Sequence, residues 1–577
     1  MAPTHSPAAE REAAIAGSRA RLRVVGGVFV VAFVSIGLRL LDMVGWQAAG
    51  GPRPAAVADG EEAPPALVSR ADIVDRNGLV LATNLRVPGV HADPAKLGNK
   101  ADAARRLAAV LSGVDAADLQ RRFESGRRFA WVKQRITPAE QKAVLELGLP
   151  GVSFSIAEHR VYPKGSLASH VTGFVSVDGR GLAGIERSEQ DRLSQGGAPL
   201  ALSLDLRIQQ VTREELLNAY RRFRTIGGNA MVYDVVTGEL LAMVSLPDFD
   251  PNRVGNVKGI QYLNRNLGEA YELGSVFKVL TIAAALDTGK IKLGDKFDAT
   301  GKLVIGRHRI GDDHAKNKWL SVAEIFEYSS NIGTARMAFA AGGAPLLEDF
   351  FRKVGFYGPP RIEIDEVVRP RLPKRWADVS VATTAFGHGI SVTPLQFVDA
   401  VGGLVRDGTR IEPTLLERDP ADLPPRTRYV SERTAEMLRW LMWLVVEHGT
   451  GTKAKLASYE IGGKTGTAEK PSRGGYSLDR VLASFVGAVP IDHPRYLVFV
   501  TLDEPKGDAG TYGLHYGGWT AAPVVSAIID RIGPMLGVPP SGIEVADEYR
   551  ARLGRLHPEA LKGSREEATL APGSALR

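Results

Sequence analysis

Gly274-Ser-Val-Phe-Lys278 runs directly into Val279-Leu-Thr-Ile-Ala-Ala-Ala-Leu286, so a serine and a lysine stand one helical turn apart at the head of an apolar helix. Residues three apart share a helix face, which brings the Lys278 amine within hydrogen-bonding reach of the Ser275 hydroxyl. Serine alone is a poor nucleophile. A neighbouring amine whose pKa is lowered by desolvation and nearby positive charge can take its proton, and the field at a helix N-terminus favours the developing anion. Two fixed positions recur by chance in 577 residues, so the pair gains meaning only from its surroundings.

Two further patterns follow along the chain. Ser329-Ser-Asn331 comes after the amphipathic stretch 322–328. Read alone it is a turn or a helix cap; read with Ser275 it offers a hydroxyl, Ser329, for proton relay and an amide, Asn331, to bind substrate backbone. Gly463-Lys-Thr-Gly-Thr-Ala468 supplies a lysine, Lys464, for an anionic substrate terminus and hydroxyls on Thr465 and Thr467 for a carboxylate. Its glycines, Gly463 and Gly466, let another backbone approach the strand closely, which suits a peptide substrate added at a sheet edge.

Strand-like runs frame these motifs. Residues 229–235 and 239–245 flank Val236-Thr-Gly238 as a hairpin, residues 482–489 and 496–502 flank Pro490-Ile-Asp-His-Pro494, and residues 460–468 add a fifth strand. Strands at both ends of a unit with helical stretches between them predict an α+β domain, one five-stranded antiparallel sheet covered by helices, over residues 223–546. Before it, residues 69–222 read as a separate mixed α+β unit. This opens with a hairpin around Asp75-Arg-Asn-Gly78 and carries helices over 101–111 and 138–147. That unit holds no nucleophile–base pair and no cluster of metal ligands; its separated histidines, His159 and His170, are given no role. A charged, Ala/Gly-rich tail is expected over 547–577.

The N-terminus carries a membrane signal. Arg11, Arg19, Arg21 and Arg23 precede an apolar run extended by Leu40, Leu41, Met43, Val44 and Trp46, with Arg39 able to snorkel. A cytoplasmic tail (1–23), a single membrane-spanning anchor (24–46) and a Pro/Ala/Gly linker (47–68) follow from this, with the positive-inside bias placing everything after Trp46 outside the cytoplasm. The small residues of Gln47-Ala-Ala-Gly50 leave open a cleaved signal peptide instead. Apolar content of 44% and charged content of 24% fit folded domains. The net charge of +7 is spread too thinly for a nucleic-acid surface. With no cysteine in the chain, disulfides, thiolate catalysis and thiolate zinc sites are excluded.

The order Ser-x-x-Lys, Ser-x-Asn, Lys-Thr-Gly, with 54 and 135 residues between first positions, resembles the signature of penicillin-binding proteins and serine β-lactamases. Asp234-Val-Val-Thr-Gly-Glu-Leu-Leu-Ala-Met-Val-Ser-Leu-Pro-Asp-Phe-Asp-Pro-Asn252, Gly387-His-Gly-Ile-Ser-Val-Thr-Pro-Leu-Gln396 and Gly449-Thr-Gly-Thr452 are similar to blocks of class B penicillin-binding transpeptidases. In the first unit Arg70-Ala-Asp-Ile-Val-Asp-Arg-Asn-Gly78, Arg160-Val-Tyr-Pro163, His170-Val-Thr-Gly-Phe174 and Gly184-Ile-Glu186 resemble that class's pedestal, or dimerisation-type, domain. Ser329-Ser-Asn331 and Lys464-Thr-Gly-Thr467 look more like the division-specific branch than the elongation-specific one. Departures are Ala71, Leu273, Val276 and His388, none of which removes a reacting group; His388 is read as lining the site at most.

The resemblance implies a serine β-lactamase-like transpeptidase domain and septal peptidoglycan D,D-transpeptidation in division. Ser275 forms an acyl-enzyme with a stem peptide, releases terminal D-Ala, and an amine of a second stem resolves it. It implies Lys278 as base, Ser329, Asn331 and Lys464 as catalytic partners, Thr465, Gly466 and Thr467 as substrate-binding, and the N–H groups of Ser275 and Thr467 as oxyanion hole. No metal or organic cofactor is implied. Expected partners are peptidoglycan stem peptides, β-lactam antibiotics, the membrane, an FtsW-type glycosyltransferase and other divisome proteins, with the catalytic bulk in the periplasm on a single-pass inner-membrane anchor. The alternatives are an elongation transpeptidase, a D,D-carboxypeptidase if water deacylates, or a non-catalytic scaffold or β-lactam sensor.

Overall fold

The computed structural model describes residues 69–540 apart from 473 and 474, with the single positions 34, 547 and 551. The expected tail, anchor and linker over 1–68 and the C-terminal tail over 547–577 therefore lie outside the described residues. Among the described residues no helix is long and apolar enough to cross a membrane.

The first unit grows from the Asn-Gly hairpin. Gly78 takes φ +76°, the left-handed conformation that this turn demands. The Asp75 carboxylate locks the turn by accepting from the N–H groups of Asn77 (2.9 Å) and Leu79 (2.8 Å). Strand β1 (Ile73–Val74) pairs antiparallel with the long β2 (Val80–Ala92), which also carries β3 (Ala130–Lys133) and β4 (Val152–Val161); β5 (Leu200–Ala201) pairs parallel with β1. Helices α1 (Lys100–Val110), α2 (Ala116–Glu124) and α3 (Pro138–Glu146) start where side chains can satisfy free N–H groups: Asn99, Asp115 and a Thr137/Glu140 capping box. Val90, Leu107, Leu119 and Phe123 form a small core of their own at this end.

Three of the pedestal blocks converge on one buried carboxylate. Glu186 accepts from Arg70 Nε at 2.6 Å, from Arg160 Nε at 2.7 Å and from the Tyr162 hydroxyl at 3.4 Å. The spacing in sequence conceals this: the partners are 116 and 26 residues from Glu186. Tyr162 in turn is clamped through both backbone polar groups by the side chain of Asn252 (3.0 and 2.9 Å), which ties the pedestal to the second unit.

The second unit is the expected sheet. Strands β6 (Gly227–Asp234), β7 (Leu240–Leu246), β8 (Gly462–Ser472), β9 (Gly475–Val489) and β10 (Tyr496–Asp503) lie in the order β8-β9-β10-β6-β7, every pair antiparallel. Every residue of β6, β7 and β10 is buried, so these strands read as unbroken apolar runs rather than alternating ones. One face packs under α4 (Leu206–Arg222) and, near the C-terminus, helix Ala522–Ile532. The other face carries the larger core, with α5 (Lys278–Asp287) at its centre.

Helix α4 lies at the boundary between the units. The expected division at 222/223 assigns α4 to the pedestal, yet Ile208, Val211 and Leu216 pack with Val232, Val244 and Val500 on the sheet. Helix α4 therefore packs on the sheet of the second unit. Ala71, Ile73, Leu81 and Ile185 also share the larger core with Val279 and Leu280, so the neck of the pedestal is continuous with the core of the second unit.

Candidate active site

Helix α5 is apolar on all sides, and every residue from Lys278 to Leu286 is buried. Such a helix is held rigidly within a core. It is entered by a single 3-10 turn, Gly274–Phe277, where the sequence reading expects α-helix from Ser275 onward. The tighter turn brings residues three apart into line, and Lys278 Nζ lies 3.0 Å from Ser275 Oγ. Gly274 adopts φ +59°, and a Cβ there would stand 2.6 Å from the Thr467 carbonyl oxygen. The turn that carries Ser275 is thereby pressed against β8.

The Ser329-Ser-Asn331 turn joins α6 (Val322–Glu327) to α7 (Asn331–Ala341). The bland and functional readings of this motif divide between its residues. Ser330 is the cap, its hydroxyl accepting from Gly333 N–H at 2.9 Å. Ser329, at φ +60°, is turned toward α5: Lys278 Nζ donates to its carbonyl and reaches its hydroxyl at 3.1 Å, and also donates to Asn331 Oδ1 at 2.8 Å.

From β8, Lys464 Nζ reaches the same Ser329 hydroxyl at 2.9 Å and the Thr465 carbonyl at 3.1 Å. Thr465 and Thr450 share a hydroxyl hydrogen bond of 2.7 Å, and Thr467 Oγ1 accepts from Gly517 N–H at 3.1 Å. Gly466 sits where nothing larger fits: a Cβ would lie 2.4 Å from Ser484 Oγ and 2.7 Å from the Leu273 carbonyl oxygen. Gly466→Ala is expected to lever β8 away from the turn that carries Ser275 and slow modification of that serine by an acylating probe about 10²-fold, the scale of a 1 Å misplacement. A rate near wild type in a time course of serine labelling would contradict this close packing.

Ser275, Lys278, Ser329, Asn331, Lys464, Thr465, Gly466 and Thr467 thus gather around one point, bonded or in contact as described. Two buried lysines flank one hydroxyl, and the electrostatics follow. Desolvation pulls the Lys278 pKa down to about 7, with Asp312 and Asp313 opposing the shift. Burial, then the Lys278 charge, hold Lys464 well below the ordinary lysine range. His388 is half-buried beside Phe386 (ring centroids 5.5 Å), and desolvation followed by the Lys278 charge lowers it to about 4.

The sequence reading misses Asp312. Its carboxylate accepts from Ser330 Oγ (2.6 Å), Asn331 N–H (2.6 Å) and Ile332 N–H (3.0 Å), which fixes the start of α7, and Asn331 with it. The signal available was weak: an Asp ahead of a helix start, favoured there by the helix dipole, but 18 residues before the serine it holds. Thr450 stood in a quoted block without a role.

Residues 228–530 match the family model for the penicillin-binding protein transpeptidase domain, and residues 65–197 match that for the penicillin-binding protein dimerisation domain. The chain is 38% identical over 536 residues to a probable peptidoglycan D,D-transpeptidase FtsI of Caulobacter vibrioides, covering 90% of this chain and 89% of that one. It is 33% identical to a probable peptidoglycan D,D-transpeptidase PenA of Neisseria gonorrhoeae, over 82% and 85% of the two chains. In fold it is similar to penicillin-binding protein 3 of Mycobacterium tuberculosis complexed with aztreonam, with TM-score 0.66, 24% identity, and coverage of 82% of this chain and 98% of that one.

Proposed function

The chain belongs to the penicillin-binding transpeptidases that carry a dimerisation-type domain, and from that membership we propose how its residues act and where in the cell they do so. Its activity is serine-type peptidoglycan D,D-transpeptidation in cell-wall synthesis, of the FtsI type. The observation that carries the assignment of roles is the Lys278 amine, 3.0 Å from Ser275 Oγ and anchored by Ser329 and Asn331.

With its pKa near 7, Lys278 takes the Ser275 proton as the oxygen attacks the penultimate D-Ala carbonyl. Backbone N–H groups of Ser275 and Thr467 receive the oxyanion; the packing of Gly274 on Thr467 supports this, and each such donor contributes about 2.7–4 kcal/mol in other enzymes. Ser329, touched by both lysines, relays a proton to the departing D-Ala amine. Lys464 and the hydroxyls of Thr465 and Thr467 hold the D-Ala carboxylate, and Asn331 orients the peptide. An amine of a second stem then attacks the acyl carbon: the C–N bond forms, the ester bond to Ser275 Oγ breaks, and the amine's proton returns to Ser275 Oγ through Lys278.

The reading extends to a septal role. Ser329-Ser-Asn331 and Lys464-Thr-Gly-Thr467 favour the division branch. A single membrane anchor over residues 24–46 holds the enzyme in the cytoplasmic membrane with the catalytic domain in the periplasm, beside an FtsW-type glycosyltransferase and other divisome proteins. Arginines before an apolar run support the anchor. β-Lactams acylate the same serine, a reading supported by the aztreonam complex of a structural relative. Fluorescent penicillin is expected to label the wild-type chain and not Ser275→Ala; equal labelling of both would sink the assignment.

A further inference from the structure

Beyond the Thr465 end of the site lies a ledge that none of the steps above uses. The rings of Tyr512 and Trp519 meet edge to face at 5.7 Å, and Lys453 Nζ sits 4.8 Å from the Trp519 ring centroid. Tyr512 is 82% exposed and held at φ +53°, so it contributes little to the core. Lys453 is exposed, and among the described residues it forms no ion pair.

The ledge is continuous with the catalytic site. Trp519 follows Gly518, where a Cβ would lie 2.5 Å from the Thr450 carbonyl oxygen and 3.4 Å from Thr465 Cγ2. Lys453 is on the short turn Thr452–Ala454, just after Thr450, whose hydroxyl is bonded to that of Thr465. The platform therefore begins where the carboxylate-binding hydroxyls end.

We infer that Trp519, Tyr512 and Lys453 form the subsite for the acceptor stem peptide, Lys453 meeting a carboxylate on it and the two rings packing against its aliphatic parts. This rests on the transpeptidase reading. Microscopic reversibility requires the incoming amine to approach the acyl carbon along the line by which the D-Ala amine departs. D-Ala leaves with its carboxylate at Thr465, so the acceptor occupies that place and its remaining length leads away past Thr450 onto the ledge. The donor is read as pairing along β8, whereas Lys453, Tyr512 and Trp519 all lie off that strand. An exposed tyrosine ring beside a half-buried tryptophan, flanked by an ammonium, suits an amphipathic anionic peptide. As the acceptor amine forms its C–N bond, the ester bond to Ser275 Oγ breaks and the proton passes to that oxygen.

The test measures how one acyl-enzyme partitions between aminolysis and hydrolysis. The full chain is acylated by a D-Ala-ending thioester donor, then offered either a stem tetrapeptide with a free side-chain amine or D-alanine, which is too short to reach the ledge. In Trp519→Ala and Lys453→Glu the aminolysis-to-hydrolysis ratio is expected to fall about tenfold with the tetrapeptide, the factor that ~1.4 kcal/mol of lost binding produces. With D-alanine it should fall far less. No fall with the tetrapeptide, or equal falls with both acceptors, overturns the subsite. Failure of the wild-type chain to form any acyl-enzyme overturns it through the transpeptidase reading itself.

Discussion

Lys278→Met is expected to slow acylation by penicillin about 10²–10⁴-fold, the usual contribution of a positioned general base. Methionine fills similar space in the buried first turn of α5, so the change removes the amine without opening a cavity. It also removes the donor to the Ser329 carbonyl and Asn331 Oδ1. The stronger evidence is the pH profile. An amine works as base only when neutral, and its pKa is drawn down to about 7, so the wild-type rate should rise with pH through about 7 and level off above it. Stopped-flow acylation across a range bracketing pH 7 should show that rise in wild type and a flat, low profile in Lys278→Met. A variant that is nearly as fast, or that keeps the same inflection, would remove Lys278 from the role of base.

Why Ser275 and Lys278 were legible as a pair and their support was not follows from the distances in sequence. Ser275 and Lys278 are one turn apart, so local geometry alone brings them together. Ser329, Asn331 and Lys464 were legible only as family blocks; their convergence depends on α6, α7 and β8 meeting around α5, which no local pattern specifies. Asp312 was illegible because a helix-capping carboxylate supplied from outside the helix leaves no periodic trace. The five strands were plain because buried central strands are continuous apolar runs, whereas the packing of α4 on the sheet was not. The amphipathic pattern of α4 shows that it has a buried face and is silent on which core that face joins.

The buried carboxylate of the pedestal makes the second large prediction, and it concerns stability. Glu186 is fully buried and holds two nearly buried arginines. Glu186→Ala leaves Arg70 with its bonds to the Glu186 backbone carbonyl (2.6 Å) and Gln190 (3.0 Å), and Arg160 with only long contacts to Asn84 and the Arg70 carbonyl (3.3 and 3.5 Å). Neither retains an anion. Removing one side of a buried ion pair costs about 3–5 kcal/mol, because the remaining charge is desolvated and uncompensated. The shared core decides how that loss is expressed. Ala71, Ile73 and Ile185 pack with the residues around α5, and Tyr162 is bonded to Asn252, so the pedestal neck should not melt by itself. Denaturant unfolding followed by tryptophan fluorescence is expected to show the main transition shifted to lower denaturant in Glu186→Ala. Protein that is still folded should still take up penicillin at Ser275, since no bond of the cluster reaches the site. An unshifted main transition, with only a minor early phase added, would mean that the pedestal is energetically separate and that the continuous core does not couple the two units.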